Sequence, residues 1–169
     1  LLHDVSHTIF SHVADYLFEH QDGIDGSYQD SIHKWFLEKT DIAEIISRHG
    51  YSLDDFMHKS GKFPALEQDL PNLCADRIEY TLYEYAINVG LENKAQVHEK
   101  IEYLLSHLHF ENDIWFFDDL KAARVYAMLP LEFTKERWAS VCGMYTYTMA
   151  ARMLRRAIEI KLIDYDTIH

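Results

Sequence analysis

Four residues able to hold a metal or move a proton fall within one short stretch: His3, Asp4, His7 and His12. A neighbouring histidine and aspartate offer one imidazole nitrogen and one carboxylate oxygen to a single cation. That mixed set suits manganese, iron or zinc, and suits magnesium less well. Two ligands do not complete a site, so a third must come from elsewhere in the chain. Asp76 is the natural candidate. Tyr80 and Glu84 follow it at i+4 and i+8, so a helix would project a carboxylate, a phenol and a second carboxylate from nearly one side. Arg77, beside Asp76, is of the type that pairs with carboxylate or phosphate.

These residues need elements to position them, and helical spacing dominates the sequence. Residues 1–20 read as helix with a break near Ser6–Phe10, followed by a loop at Gly23-Ile24-Asp25-Gly26. Ser27 can cap a helix carrying Ile32, Trp35 and Phe36. A further helix from about Asp41 would end at Gly50, a C-terminal glycine. Ser52 with Asp55 resembles a capping pair for a short helix. Gly61 to Pro71 reads as loop. From Leu70 to Val89, the residues Ile78, Leu82, Tyr85 and Val89 make one apolar stripe, which Gly90 stops. Residues 94–109 predict a helix with Ile101, Leu104, Leu105 and Leu108 inward and with His107 and His109 on different sides. Residues 117–128 predict another, ended by Pro130. Thr134 would cap a last helix to about Ile163. No alternating strand pattern of useful length stands out.

The stretch His3-Asp4-Val5-Ser6-His7-Thr8-Ile9-Phe10-Ser11-His12 resembles the first signature of the HD superfamily, in its His-Asp-x-Gly-His-x-Pro-Phe-Ser-His form. Ala75-Asp76-Arg77-Ile78-Glu79-Tyr80 is similar to the second, Ala-Asp-Arg-x-Asp-Tyr. Both forms are those of the deoxynucleoside triphosphate triphosphohydrolase-like branch, and the motifs stand in the right order. The resemblance implies an all-α HD-domain helical bundle, as a single domain over 1–169, with a ligand-bearing part at 1–90 and C-terminal helices at 94–163. It implies a metal-dependent phosphohydrolase with one divalent ion (manganese, iron, zinc, nickel or magnesium) held by His3, Asp4 and Asp76. A further histidine ligand is expected upstream, in a chain read as N-terminally truncated. The resemblance gives His7, His12 and His33 catalytic roles and places Tyr80 near substrate phosphate; Arg77 and Glu84 join it as substrate-binding candidates by residue type and helix spacing alone. Two positions depart from the pattern: Ser6 stands for glycine and Ile9 for proline, which is expected to reshape the turn that aims His7 and His12.

Two other functions fit the same residues. A binuclear enzyme, a phosphodiesterase or di-iron oxygenase, would recruit His33 with His49 or His58. A regulatory HD domain would bind a nucleotide without turning it over.

The bulk numbers agree with a folded chain of ordinary composition. It has 169 residues, 48% hydrophobic and 14% aromatic, which excludes disorder. The formal net charge of −12 repels a nucleic-acid backbone. The basic cluster Arg152, Arg155 and Arg156 reads as a solvated helix face or a helix C-terminal complement. A small phosphorylated substrate such as a nucleotide remains compatible, because a bound cation reverses the local field. Cys74 and Cys142 read as buried thiols of a reducing compartment. Met144, Met149 and Met153 read as core, and five tyrosines (Tyr83, Tyr85, Tyr126, Tyr145 and Tyr147) as core or boundary. The expected location is cytoplasmic, with no membrane span, and apolar strips on the last helix suit a homodimer.

Overall fold

The computed structural model describes residues 2–18, 27–57, 61–88 and 93–169. In chain order the helices and strands are α1 (Val13–Leu17), α2 (Tyr28–Lys39), α3 (Ile42–Arg48), α4 (Ala75–Asn88), α5 (Lys94–Ser106), β1 (Leu108–Glu111), β2 (Ile114–Phe117), α6 (Leu120–Phe133) and α7 (Val141–Glu159). Short 3-10 turns cover His3–Ser6, Leu53–Phe56 and Tyr165–Ile168. The protein is all-α apart from one small hairpin among the described residues. No helix among those residues is long and apolar enough to cross a membrane. The chain forms two compact units, Leu1–Ser60 with Ala139–His169, and Gly61–Trp138.

In the first unit, Val13, Ala14, Leu17, Phe18 and Tyr28 pack with Ala151 and Ile168. The expected caps are present. Ser27 accepts from the Asp30 N–H at 3.3 Å, Ser52 and Asp55 form a capping box, and Gly50 ends α3 at φ +80°. Arg155 donates to the Tyr16 and Leu17 carbonyls at 3.2 and 3.1 Å. One of the three arginines therefore does complement a helix C-terminus. The loop at 23–26, the stop at Val89-Gly90, and His20 and His58 lie outside the described residues.

In the second unit, Ile78, Leu82, Leu104, Ala122, Tyr126, Leu129 and Phe133 form the core. The α4 helix starts at Ala75, later than the Leu70 start that the stripe predicts. Its first N–H groups are taken by loop carbonyls: Ala75 donates to Ala65 at 2.9 Å and Asp76 to Leu66 at 3.4 Å. These are partners that a helix begun at Leu70 would not need.

Several expectations are corrected here. The helix expected over 94–109 ends at Ser106, and Leu108 opens a hairpin with register Leu108↔Phe117 to Glu111↔Ile114. Asn112 and Asp113 turn it, both at positive φ, 51° and 63°, as a tight hairpin requires. Leu105 is exposed. His107 and His109 do meet: they reach the two oxygens of Asp118 at 2.7 and 2.9 Å. Residues two apart share a side in extended chain, not in helix. Pro130 does not end α6, which runs on to Phe133. Burial of Leu129 and Phe133 on either side of it offsets the lost hydrogen bond. Thr134 begins a π-type turn to Trp138, and α7 is capped by Ser140, which accepts from Gly143 N–H at 3.0 Å. Finally, Cys142, Met144, Met153, Tyr83 and Tyr145 are exposed rather than core.

Candidate metal centre

His3 and Asp4 sit on the first 3-10 turn. The His3 Nε2 lies 3.2 Å from Asp4 Oδ2, and His7 Nε2 lies 3.2 Å from Asp4 Oδ1. The carboxylate is therefore bracketed by two imidazoles, one on each oxygen. Two ligand atoms on one cation, each roughly 2.1 Å from it, stand about 3.0 Å apart at a right angle and about 3.4 Å apart at a tetrahedral angle. The His3–Asp4 spacing falls inside that range, so the donor pair fits a divalent ion. Asp4 is 64% exposed at its side chain, which leaves room on its outer side.

The turn after His7 brings His12 back to it. Ser11 takes φ +49°, a left-handed conformation that costs a non-glycine residue about 1 kcal/mol. Its N–H donates to Thr8 C=O at 2.8 Å. The chain reverses, and the rings of His7 and His12 meet edge-on with centroids 4.8 Å apart. Their environments differ. Burial, then the neighbouring His12, pushes the His7 pKa down. A hydrogen bond to Asp15, 3.2 Å away, pushes His12 up. Burial alone would raise Asp15, but its bonds from His12 and from the Tyr28 N–H at 2.8 Å carry it below its ordinary value. Sequence reasoning missed Asp15. Its signal was an i, i+3 spacing from His12.

The two departures from the motif both have partners. Ile9 has the N–H that proline lacks, and donates it to Ile168 C=O at 3.1 Å. Ser6 lies in helical turn geometry, outside the positive-φ residues, so no glycine is required. Its hydroxyl lies 2.9 Å from His33 Nδ1. His33 is buried on α2. Burial drives its pKa down, and the Phe56 backbone opposes that only in part.

The remaining residues stand on the second unit. Asp76 opens α4, half-buried, with Tyr80 and Glu84 following on the same face. Tyr80 packs edge-on against Trp138 at 5.6 Å, and burial raises its pKa. Glu84 accepts from Asn88 at 3.0 Å and from Arg137 at 3.4 Å. Arg77 is turned toward the preceding loop, where it donates to the Asn72 and Gln68 carbonyls and stands 3.8 Å from Glu67. His49 caps the exposed C-terminal end of α3. The structure thus groups His3, Asp4, His7 and His12 on one turn with His33 beneath it, and sets Asp76, Tyr80 and Glu84 along one helix.

The imidazole and carboxylate donors of His3 and Asp4 are a mixed set that a divalent transition-metal ion accepts. The chain is 32% identical over 171 residues, 99% of its length and 49% of the relative's, to the uncharacterized protein YdhJ of Bacillus subtilis. It is 28% identical over 167 residues, 97% of its length and 47% of the relative's, to the metal-dependent phosphohydrolase cns2 of Cordyceps militaris. The chain thus spans about half the length of the curated relatives it matches. No protein-family model and no solved structure matches it.

Proposed function

We propose that the protein is an HD-type metal-dependent phosphohydrolase acting on a small phosphate ester, of which a nucleotide is the leading candidate. His3, Asp4 and Asp76 would hold the cation, which is manganese, iron, zinc, nickel or magnesium. The observation that carries the reading is the Asp4 carboxylate bracketed at 3.2 Å by His3 and His7. Its support is the named activity of the Cordyceps militaris relative and the two signature motifs.

When bound, a divalent ion polarises a phosphoryl oxygen and lowers the pKa of water beside it. The residues of the chain do the rest. His12, held by Asp15, is the better-placed cation for substrate phosphate and the natural proton donor to the leaving oxygen. His7, whose pKa burial pushes down, stands against Asp4 on the same turn and would contact substrate phosphate as a hydrogen-bonding group. Tyr80 would offer a phenolic O–H to phosphate, with Glu84 one turn further along the same helix; Arg77, held by the Asn72 and Gln68 carbonyls, would have to leave them to reach substrate. His33 supports the turn from beneath.

The test is turnover of p-nitrophenyl phosphate and a panel of nucleotides by the full-length protein with added manganese. Wild type is expected to hydrolyse at least one of them, and Asp76→Ala to lose both metal and turnover. An Asp76→Ala protein that keeps both would refute the ligand set.

A further inference from the structure

Ser6 is 1% exposed, and its hydroxyl has three polar neighbours. These are His33 Nδ1 at 2.9 Å, the Gln29 carbonyl at 3.2 Å and the His3 carbonyl at 3.5 Å. His33 is itself 4% exposed and stands one helical turn after Gln29 on α2. A hydroxyl has one proton and two lone pairs, so the 2.9 Å contact can form in either direction. In one pattern His33 Nδ1–H donates to Ser6, whose own proton goes to the Gln29 carbonyl. In the other Ser6 donates to Nδ1, and the ring proton sits on Nε2. Among the described residues Nε2 meets no partner within hydrogen-bond geometry, while the nearby Phe56 backbone favours a proton on the ring. Both patterns tie the turn that carries His3 and Asp4 to the same place on α2.

We infer that Ser6 and His33 are positioning residues for the metal ligands, and that they work as one clamp. Outer partners of this kind orient a metal's ligands without touching the metal. The serine that departs from the motif's glycine supplies the clamp, because glycine has no hydroxyl to offer. The inference rests on the metal reading above for its consequence, though not for the hydrogen bond itself.

Manganese affinity by calorimetric titration, with Tm measured on the same metal-free samples, tests the clamp in a small set of variants. Ser6→Ala is expected to lower affinity about 10–100-fold, and His33→Leu to do the same. Joined in one protein, the two changes are expected to cost no more affinity than the larger single loss, because each removes the same contact. His33→Asn keeps an amide near the Nδ1 position and is expected to retain binding. His33→Gln, whose amide sits near Nε2, is expected to lose it. A general loss of packing would not be rescued by asparagine. Unchanged affinity in Ser6→Ala overturns the clamp, and so do losses that multiply in the double variant. Should His33→Leu fail to fold, Ser6→Ala and the asparagine rescue still decide. If wild type binds no manganese, the metal reading fails and the positioning role falls with it. The same double-variant comparison read in Tm then decides whether the two side chains act together.

Discussion

Replacing Asp4 by asparagine should separate metal binding from folding. The side chain keeps its shape but loses its charge, and each of its oxygens faces one imidazole at 3.2 Å. Those are contacts of a 64% exposed group, and exposed pairs contribute roughly 0–1 kcal/mol each. The folding cost of Asp4→Asn is therefore about 1 kcal/mol in all, which for a chain of this size is roughly 2–4 °C in Tm. The metal side is much larger. Supporting groups around a metal cost about 10–100-fold when removed, and a direct charged ligand belongs at the top of that range. A loss of about 100-fold, or about 2.7 kcal/mol, is expected. Calorimetric titration with manganese measures the second quantity, and thermal denaturation without metal measures the first. Unchanged affinity would remove Asp4 from the ligand set. A collapse in Tm would show instead that its role is in folding the turn.

Two further outcomes probe the second unit. Leu104 is 1% exposed within that unit's core, so Leu104→Ala should cost about 3 kcal/mol in urea denaturation; a cost below about 1 kcal/mol would mean that the core closes over the deletion. The bonds from His107 and His109 hold the Asp118 carboxyl below its ordinary pKa. Its folded value is the lower one, so its contribution is complete above the ordinary carboxylate range and disappears as pH falls through the folded value. Asp118→Asn should accordingly lower Tm at neutral pH, with the two curves converging in acid. Curves that stay parallel down to acid would contradict the hairpin geometry.

What the sequence made legible was local. Ser27, Gly50 and the Ser52–Asp55 box act within one turn of themselves, and each falls where its chemistry predicts. The His3-Asp4 doublet was legible for the same reason, since adjacency alone brings its two donors near each other. The hairpin was not, because its strands are short and their residues do not alternate cleanly; only the Asn112-Asp113 pair signalled the turn. Missing it also misplaced His107 and His109, whose meeting depends on a period of two. Pro130 misled because burial of Leu129 and Phe133 overrode a local rule. Ser6 and Ile9 read as losses against a motif. Their partners, Gln29, His33 and Ile168, lie far along the chain, and no spacing rule reaches them.

The carbonyl of Ala65 receives two hydrogen bonds, from the Ala75 N–H at 2.9 Å and from the Trp115 indole at 2.8 Å. Gln68 adds a second link, donating to Asp113 C=O at the hairpin turn at 2.8 Å. One oxygen atom is thus the common bearing of the hairpin and of the helix whose second residue is Asp76. Loss of the Trp115 indole would therefore take one of the two bonds from the carbonyl that also receives the first N–H of α4.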